Sequence, residues 1–268
     1  MDFYIQDNDI ILKQSDLDLD QTLDCGQAFR WEKISDSAYH GAFLNKELTI
    51  SAEPEQGVFR LHDTTEEELK SVWYSYFDLS TDYGEIKRRL SEDEMLFRAC
   101  SFSPGIRILR QDSWEALSSF IISQNNNIPR IKGIIGRLCD HYGGYPDYRD
   151  MLEETPDSLG FLRAGFRAKY LVDAVDKLKT GGISLDEITK MDIGSARKTL
   201  MTIKGVGPKV AECSLLFGFY RTEAFPVDVW MKRVLERWYP NGMPDCAKGI
   251  EGIAQQYLFH YIRTSGEG

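Results

Sequence analysis

The chain lacks any apolar run long enough to cross a bilayer as a helix. Its opening residues, "MDFYIQDNDI", are acidic where a secretory signal is basic, so an intracellular location is expected. Cysteine and histidine are scarce and dispersed. Cys25, Cys100, Cys139, Cys213 and Cys246 are odd in number and far apart, which argues against a disulfide framework and against a tetrahedral zinc site. His40, His62, His141 and His260 are equally scattered, so neither a bound metal nor another cofactor is expected. There is no internal repeat and no low-complexity tract. What is present, 268 residues with 42% apolar and 28% charged side chains, suits a folded globular protein with one large core or two modest ones.

Positive charge is in short supply, but unevenly so. The net charge is −10. Residues 1–95 hold 22 acidic against 9 basic side chains, a balance of −13; from totals of 42 and 32, residues 96–268 keep 20 acidic and 23 basic, a balance of +3. The acidic excess belongs to the first third, and the rest of the chain remains compatible with a polyanionic partner.

The first third reads as strands. "DFYIQ", "DIILKQ", "AFRWEKI", "AYHGAFL", "KELTISAE" and "GVFRLHD" are short β-rich segments divided by polar or glycine turns, the pattern of an antiparallel sheet. A helix opened by Thr64 or Thr65 is expected to follow, to about Phe77. From about Ser91 the period changes. Trp114, Leu117 and Ile121 recur at helical spacing, as do Ile128, Ile131, Ile135 and Leu138, and Leu171, Ala174, Val175 and Leu178. Met231, Val234, Leu235 and Trp238 mark a later helix, and Ile250, Ile253, Ala254, Tyr257 and Leu258 the last. Strands followed by helices predict an α+β protein: a sheet domain over residues 1–95 and a helical domain over 96–268.

"SARKTLMTIKGVGPKVAECSLLFG" reads as a helix, a glycine hairpin and a second helix. Gly205 and Gly207 permit positive φ and close backbone approach, and Pro208 suits a first helical position. The amides of such a turn point outward together and can hold a phosphate, although the same turn can serve packing alone. Lys209 stands at this helix start, near the positive end of a helix dipole, which disfavours an ammonium and favours a nucleophilic amine. Nineteen residues on, Asp228 precedes the amphipathic "VWMKRVLERWY". An aspartate there is an N-cap worth about 1 kcal/mol, and a carboxylate so fixed is also preorganised to stabilise developing positive charge.

A helix-hairpin-helix, a Gly/Pro-rich loop ending in Val-Asp, and a lysine nineteen positions before that aspartate resemble the lysine-bearing branch of the helix-hairpin-helix (HhH-GPD) base-excision DNA glycosylases, within it the 8-oxoguanine DNA glycosylases. The similarity extends over nearly the whole chain. It implies a TBP-like sheet domain ahead of an all-helical HhH-GPD domain, and a monomer acting on double-stranded DNA containing oxidised guanine. Lys209 and Asp228 would be catalytic, and Gly205 and Gly207 would grip the DNA backbone. "SQNNNIPR" resembles the family's DNA-intrusion segment, so Asn125 would fill the void left by the extruded nucleotide and Arg130 would read the orphaned cytosine. In "AGFRAKYL", Phe166 would be the wedge and Arg167 would join Arg130. "LDCGQAFRW" would set the Gly26 carbonyl against the N7 hydrogen that 8-oxoguanine has and guanine lacks. In "GIAQQYLFHYI", Gln255 and Phe259 share a helix face opposite Ile253 and Tyr257. Gln255 would bond the base edge, and Phe259 and Cys213 would sandwich its ring. One position departs from the pattern: Trp230 stands where many members carry a histidine that contacts phosphate.

The function this resemblance implies is excision of 8-oxoguanine opposite cytosine by base flipping and Schiff-base formation, followed by strand cleavage through β-elimination. Two alternatives stay open on sequence. A related glycosylase for alkylated bases or adenine would share the hairpin, but monofunctional relatives lack the lysine and iron-sulfur relatives carry four grouped cysteines. A noncatalytic DNA-binding module would share it too, without reason for Gly26, Gln255 and Phe259 to match a base pocket.

Overall fold

Alternation of apolar and polar side chains, as in β5 where Leu48 and Ile50 are buried between more open neighbours, produces six strands in a computed structural model that describes residues 2–267. They are β1 (Asp2–Gln6), β2 (Asp9–Lys13), β3 (Trp31–Ser35), β4 (Ala38–Phe43), β5 (Lys46–Ala52) and β6 (Val58–His62). The sheet order is β1-β2-β6-β5-β4-β3, every pair antiparallel, with Ile10 opposite Leu61 and Tyr39 opposite Ile50. Thr65 opens the helical segment that follows, in a capping box with Glu68, and this segment passes through a π turn at Leu69–Trp73 before Tyr74–Tyr76. Its Trp73 and Tyr76, with Phe77 and the β3 residue Trp31, fill the core over Ile10, Leu12, Leu48, Ile50 and Leu61. The buried Trp31 indole N–H donates to the Tyr76 hydroxyl at 2.7 Å, so the polar tip of the cluster is satisfied.

The chain divides into two compact units, one running to Arg110 and resuming at Val227, the other Gln111–Pro226. This differs from a boundary at residue 95. The cause lies in pairings remote in sequence: Thr22 donates to the Gly105 carbonyl 83 positions away, Gln27 accepts from Leu109 N–H 82 away, and Tyr257 donates to the Ile106 carbonyl 151 away. The helix Glu94–Phe102, the 103–110 strap and the helices Val229–Trp238 and Glu251–Thr264 therefore belong with the sheet. Tyr239 joins them, its hydroxyl donating at 2.6 Å to Asp93, the residue that caps Glu94–Phe102.

The second unit is helical throughout. Ser113–Ser123 and Pro208–Gly218 form its centre, each buried along most of its length, with Phe120 and Phe217 stacked at 5.4 Å between ring centroids. Ile128–Tyr142, Arg167–Lys179, Leu185–Lys190 and Ile193–Leu200 surround them. Most start on the side chain of Asp112, Asn127, Ser184 or Asp192, acting as N-caps.

Candidate active site

In the second unit the glycine hairpin joins Ile193–Leu200 to Pro208–Gly218. Gly205 is left-handed at φ +79°, and a Cβ there would lie 2.3 Å from the Tyr170 ring, so both backbone and packing demand glycine. Gly207 is different. Its backbone is extended, at φ −95° and ψ −179°, and a Cβ there would meet nothing within 4 Å. Of the positive φ and close backbone approach that these glycines permit, positive φ is used by Gly205 alone; nothing inside the unit requires glycine at 207.

No side chain caps Pro208–Gly218. Its first-turn amides, those of Lys209 and Val210 included, have no intrahelical partner. Lys209 and Val210 line an open cleft of about 560 Å³ whose other walls include Asn125, Phe166, Tyr170, Gly205 and Gly207. Lys209 is half-buried, and its Nζ lies 5.1 Å from the centroid of the Phe120 ring. No carboxylate pairs with it among the described residues. One turn further, Cys213 is buried. Beside it, the buried Glu212 carboxylate accepts from the Arg197 guanidinium and, at 2.8 Å, from the Phe225 N–H. Glu212 therefore clips the two helices of the hairpin together and holds the loop leading toward Asp228.

The three asparagines each do a separate local job. Asn125 takes a left-handed conformation at φ +46°, Asn126 donates to the Ile122 carbonyl, and Asn127 caps Ile128–Tyr142 by accepting from Arg130 N–H. The side chains of Asn125 and Arg130 remain exposed. Phe166 is exposed too, its ring edge-on to Tyr170 at 5.5 Å.

Arg167 is placed otherwise than a base-reading arginine. It is buried, and its guanidinium donates to the carbonyls of Gln124, Asn125 and Ala164, which uses four of its five N–H groups. Burial, and then the charge of Arg130, pull its pKa below the ordinary arginine value. In this state Arg167 fixes the turn that presents Asn125, and of the two arginines it is Arg130 that offers an exposed guanidinium.

The remaining candidates lie in the first unit. Asp228 caps Val229–Trp238, its Oδ1 accepting from Trp230 N–H at 3.0 Å and Met231 N–H at 2.9 Å, while Oδ2 has no hydrogen-bond partner among the described residues. The Arg233 guanidinium lies 4.9 Å over the Trp230 ring, so a cation accompanies the side chain at that position. The last helix is covered on every side around Gln255: residues 252–258 are all buried, so the face that Gln255 shares with Phe259, opposite Ile253 and Tyr257, is covered there too. Gln255 is only 4% exposed, yet its Oε1 has no hydrogen-bond partner among the described residues. A buried amide oxygen left unpaired costs about 1–3 kcal/mol, which a ligand donor recovers. Phe259 is half-buried with the Arg263 guanidinium 4.9 Å over its ring. Gly26, at φ +87°, forms a turn with Cys25 and Gln27. Burial pushes the Cys25 thiol up to about 11, so this cysteine stays protonated and unreactive.

Sequence reading missed Gln27, Tyr170, Glu212 and Arg233. The polar Gln27 inside "DCGQAFRW" was the available signal. Among the described residues no group of three or more His, Cys, Asp or Glu side chains is arranged to hold a metal, and no helix is long and apolar enough to cross a membrane.

Comparison with known proteins bears on both units. Residues 9–117 match the family described as 8-oxoguanine DNA glycosylase, N-terminal domain, and residues 118–256 match the HhH-GPD superfamily base excision DNA repair protein. The structure is similar to that of MBOgg1 in complex with a low-affinity DNA ligand, at TM-score 0.91 and 36% identity, covering 99% of each chain. It is similar to the Clostridium acetobutylicum 8-oxoguanine glycosylase/lyase in complex with double-stranded DNA containing cytosine opposite 8-oxoG, at TM-score 0.89, 36% identity and 99% of each chain. A probable N-glycosylase/DNA lyase of Methanothermobacter thermautotrophicus is 29% identical over 94% of this chain and 95% of its own.

Proposed function

The chain belongs to the HhH-GPD superfamily of base excision DNA repair proteins and carries the 8-oxoguanine DNA glycosylase N-terminal domain, and from that premise we propose that it excises 8-oxoguanine from duplex DNA and cuts the abasic strand. The observation that carries the reading is the Lys209 amine, unpaired with any carboxylate of the described residues, at an uncapped helix start on an open cleft. The amides there suit a phosphate, and the amine beside them suits the sugar that the phosphate delivers.

As the neutral amine, Lys209 attacks C1′ of the flipped nucleotide. The C1′–N9 bond breaks and its electron pair leaves with the base, which takes up a proton. Opening of the sugar ring gives a Schiff base between Nζ and C1′. Loss of a C2′ proton then breaks the C3′–O3′ bond and expels the phosphate, and hydrolysis returns the lysine. Asp228, held by two amides, stabilises the cationic sugar as the base departs. The unpaired Gln255 Oε1 accepts from the base edge, and the Gly26 carbonyl accepts from N7–H. Phe166 wedges into the stack, which offsets part of the few kcal/mol that flipping costs. Arg130, joined by Arg167 once it is released from its carbonyls, reads the cytosine opposite. The Arg233–Trp230 pair replaces the phosphate contact of the family histidine.

The test is cleavage of duplexes carrying 8-oxoguanine opposite each of the four bases. Fastest cutting opposite cytosine is expected; rates indifferent to the opposite base would remove the roles given to Arg130 and Arg167. The two hairpin glycines separate fold from function. Gly205→Ala is expected to destabilise the protein by about 1–3 kcal/mol through strain and overpacking. Gly207→Ala is expected to leave the unfolding midpoint unchanged and weaken duplex binding about tenfold, because its methyl occupies the space meant for phosphate. Unchanged binding by Gly207→Ala, measured by anisotropy at fixed salt, would remove the phosphate grip.

A further inference from the structure

We propose that Gln27, which touches no substrate in this scheme, is the positioning residue that aims the Gly26 carbonyl and thereby sets the capacity to excise 8-oxoguanine. The inference rests on the reading that this carbonyl accepts from N7–H.

A backbone carbonyl discriminates between a base hydrogen and a base lone pair only if its direction is fixed. A swivelling peptide accommodates both. Glycine is the most permissive residue for such a swivel, and Gly26, at φ +87°, has no side chain through which it could be locked. The lock comes from its neighbour. Gln27 is fully buried, and its amide is spent on three backbone groups: Oε1 accepts from Leu109 N–H at 2.9 Å, and Nε2 donates to the carbonyls of Thr22 at 2.9 Å and Arg107 at 2.8 Å. The side chain thus spans the helix end before Gly26 and the 105–109 strap. On the other side of Gly26, the Cys25 thiol donates to the Thr22 carbonyl and receives the Gln256 amide at 3.8 Å. Gln256 adjoins Gln255, the residue assigned to the base edge. A single polar lattice therefore holds both base-reading positions, Gly26 and Gln255, in one register.

Burying a glutamine costs conformational entropy and desolvation that an apolar side chain would avoid. What the amide supplies is direction, since all three of its bonds are geometrically specific. Gln27→Glu keeps the shape but ends both donations and sets a carboxylate against two carbonyls.

The test compares Gln27→Glu with wild type in two single-turnover assays: excision of 8-oxoguanine opposite cytosine, and cleavage of a preformed abasic site, which needs no base reading. Excision is expected to fall about 10- to 100-fold, as for a reacting group misplaced by about 1 Å, with abasic cleavage within twofold. The excision deficit relative to wild type is expected to narrow as pH falls from 8 to 6, because protonating the introduced carboxyl restores one donor. Equal losses in both assays, or no loss in either, would overturn the proposal. If Gln27→Glu does not fold, Gln256→Leu cuts the lattice at Cys25 and is expected to lower excision severalfold with abasic cleavage unchanged; an unaltered ratio overturns the proposal equally. Wild type that does not excise 8-oxoguanine at all refutes the underlying function instead.

Discussion

Replacing Lys209 with glutamine is expected to lower single-turnover excision of 8-oxoguanine by at least about a thousandfold, in line with losing a covalent nucleophile. The substitution is well suited to isolate chemistry. Lys209 is half-buried at the second position of its helix and its ammonium rests on the Phe120 ring instead of in an ion pair, so a neutral side chain of similar length fits the same space. The hairpin is held by Gly205 against Tyr170 and by Glu212 to Arg197 and Phe225, none of which involves the lysine. Unfolding and duplex binding are therefore expected to stay near wild type while excision and abasic cleavage vanish together. Loss of excision with abasic cleavage retained would assign the Schiff base to another amine.

Asp228→Asn is the second large effect, and it separates two roles that one carboxylate performs. Asparagine caps a helix about as well as aspartate, so the bonds to Trp230 and Met231 N–H survive and stability is expected to change by less than about 0.5 kcal/mol. The negative charge does not survive. Removing a preorganised group that faces developing charge lowers rates by about 10²–10³-fold, and excision is expected to fall in that range in rapid-quench assays. A stable Asp228→Asn enzyme with near-normal excision would reduce the residue to a cap.

Much of this was legible because it is written in local code. Trp114, Leu117 and Ile121, or Ile128 through Leu138, announce helices by spacing alone, and the alternation in "KELTISAE" announces a strand. Asp228 as a cap, Pro208 at a helix start and Thr65 opening its helix follow from which backbone groups need partners. Most of what was not legible depends on partners distant in sequence. The division after residue 95 missed that Gln27 and Thr22 bind the 105–109 strap and that the last helix packs there too. Gln255 was expected on the helix face opposite Ile253 and Tyr257, but periodicity within one helix cannot report that this face is covered as well. Arg167, expected beside Arg130 on the cytosine, is held in this DNA-free structure by the carbonyls of residues 124, 125 and 164, contacts that its own segment does not announce. Gly207 looked like a turn glycine, and only its extended backbone and empty surroundings separate it from Gly205.

The most direct test of the central claim is borohydride reduction during reaction with a duplex carrying 8-oxoguanine opposite cytosine, followed by peptide mapping of the adduct. Reduction freezes a Schiff base as a stable secondary amine. The account predicts a covalent protein–DNA adduct whose linkage maps to Lys209; an enzyme that excises the base yet yields no adduct, or one linked elsewhere, contradicts it.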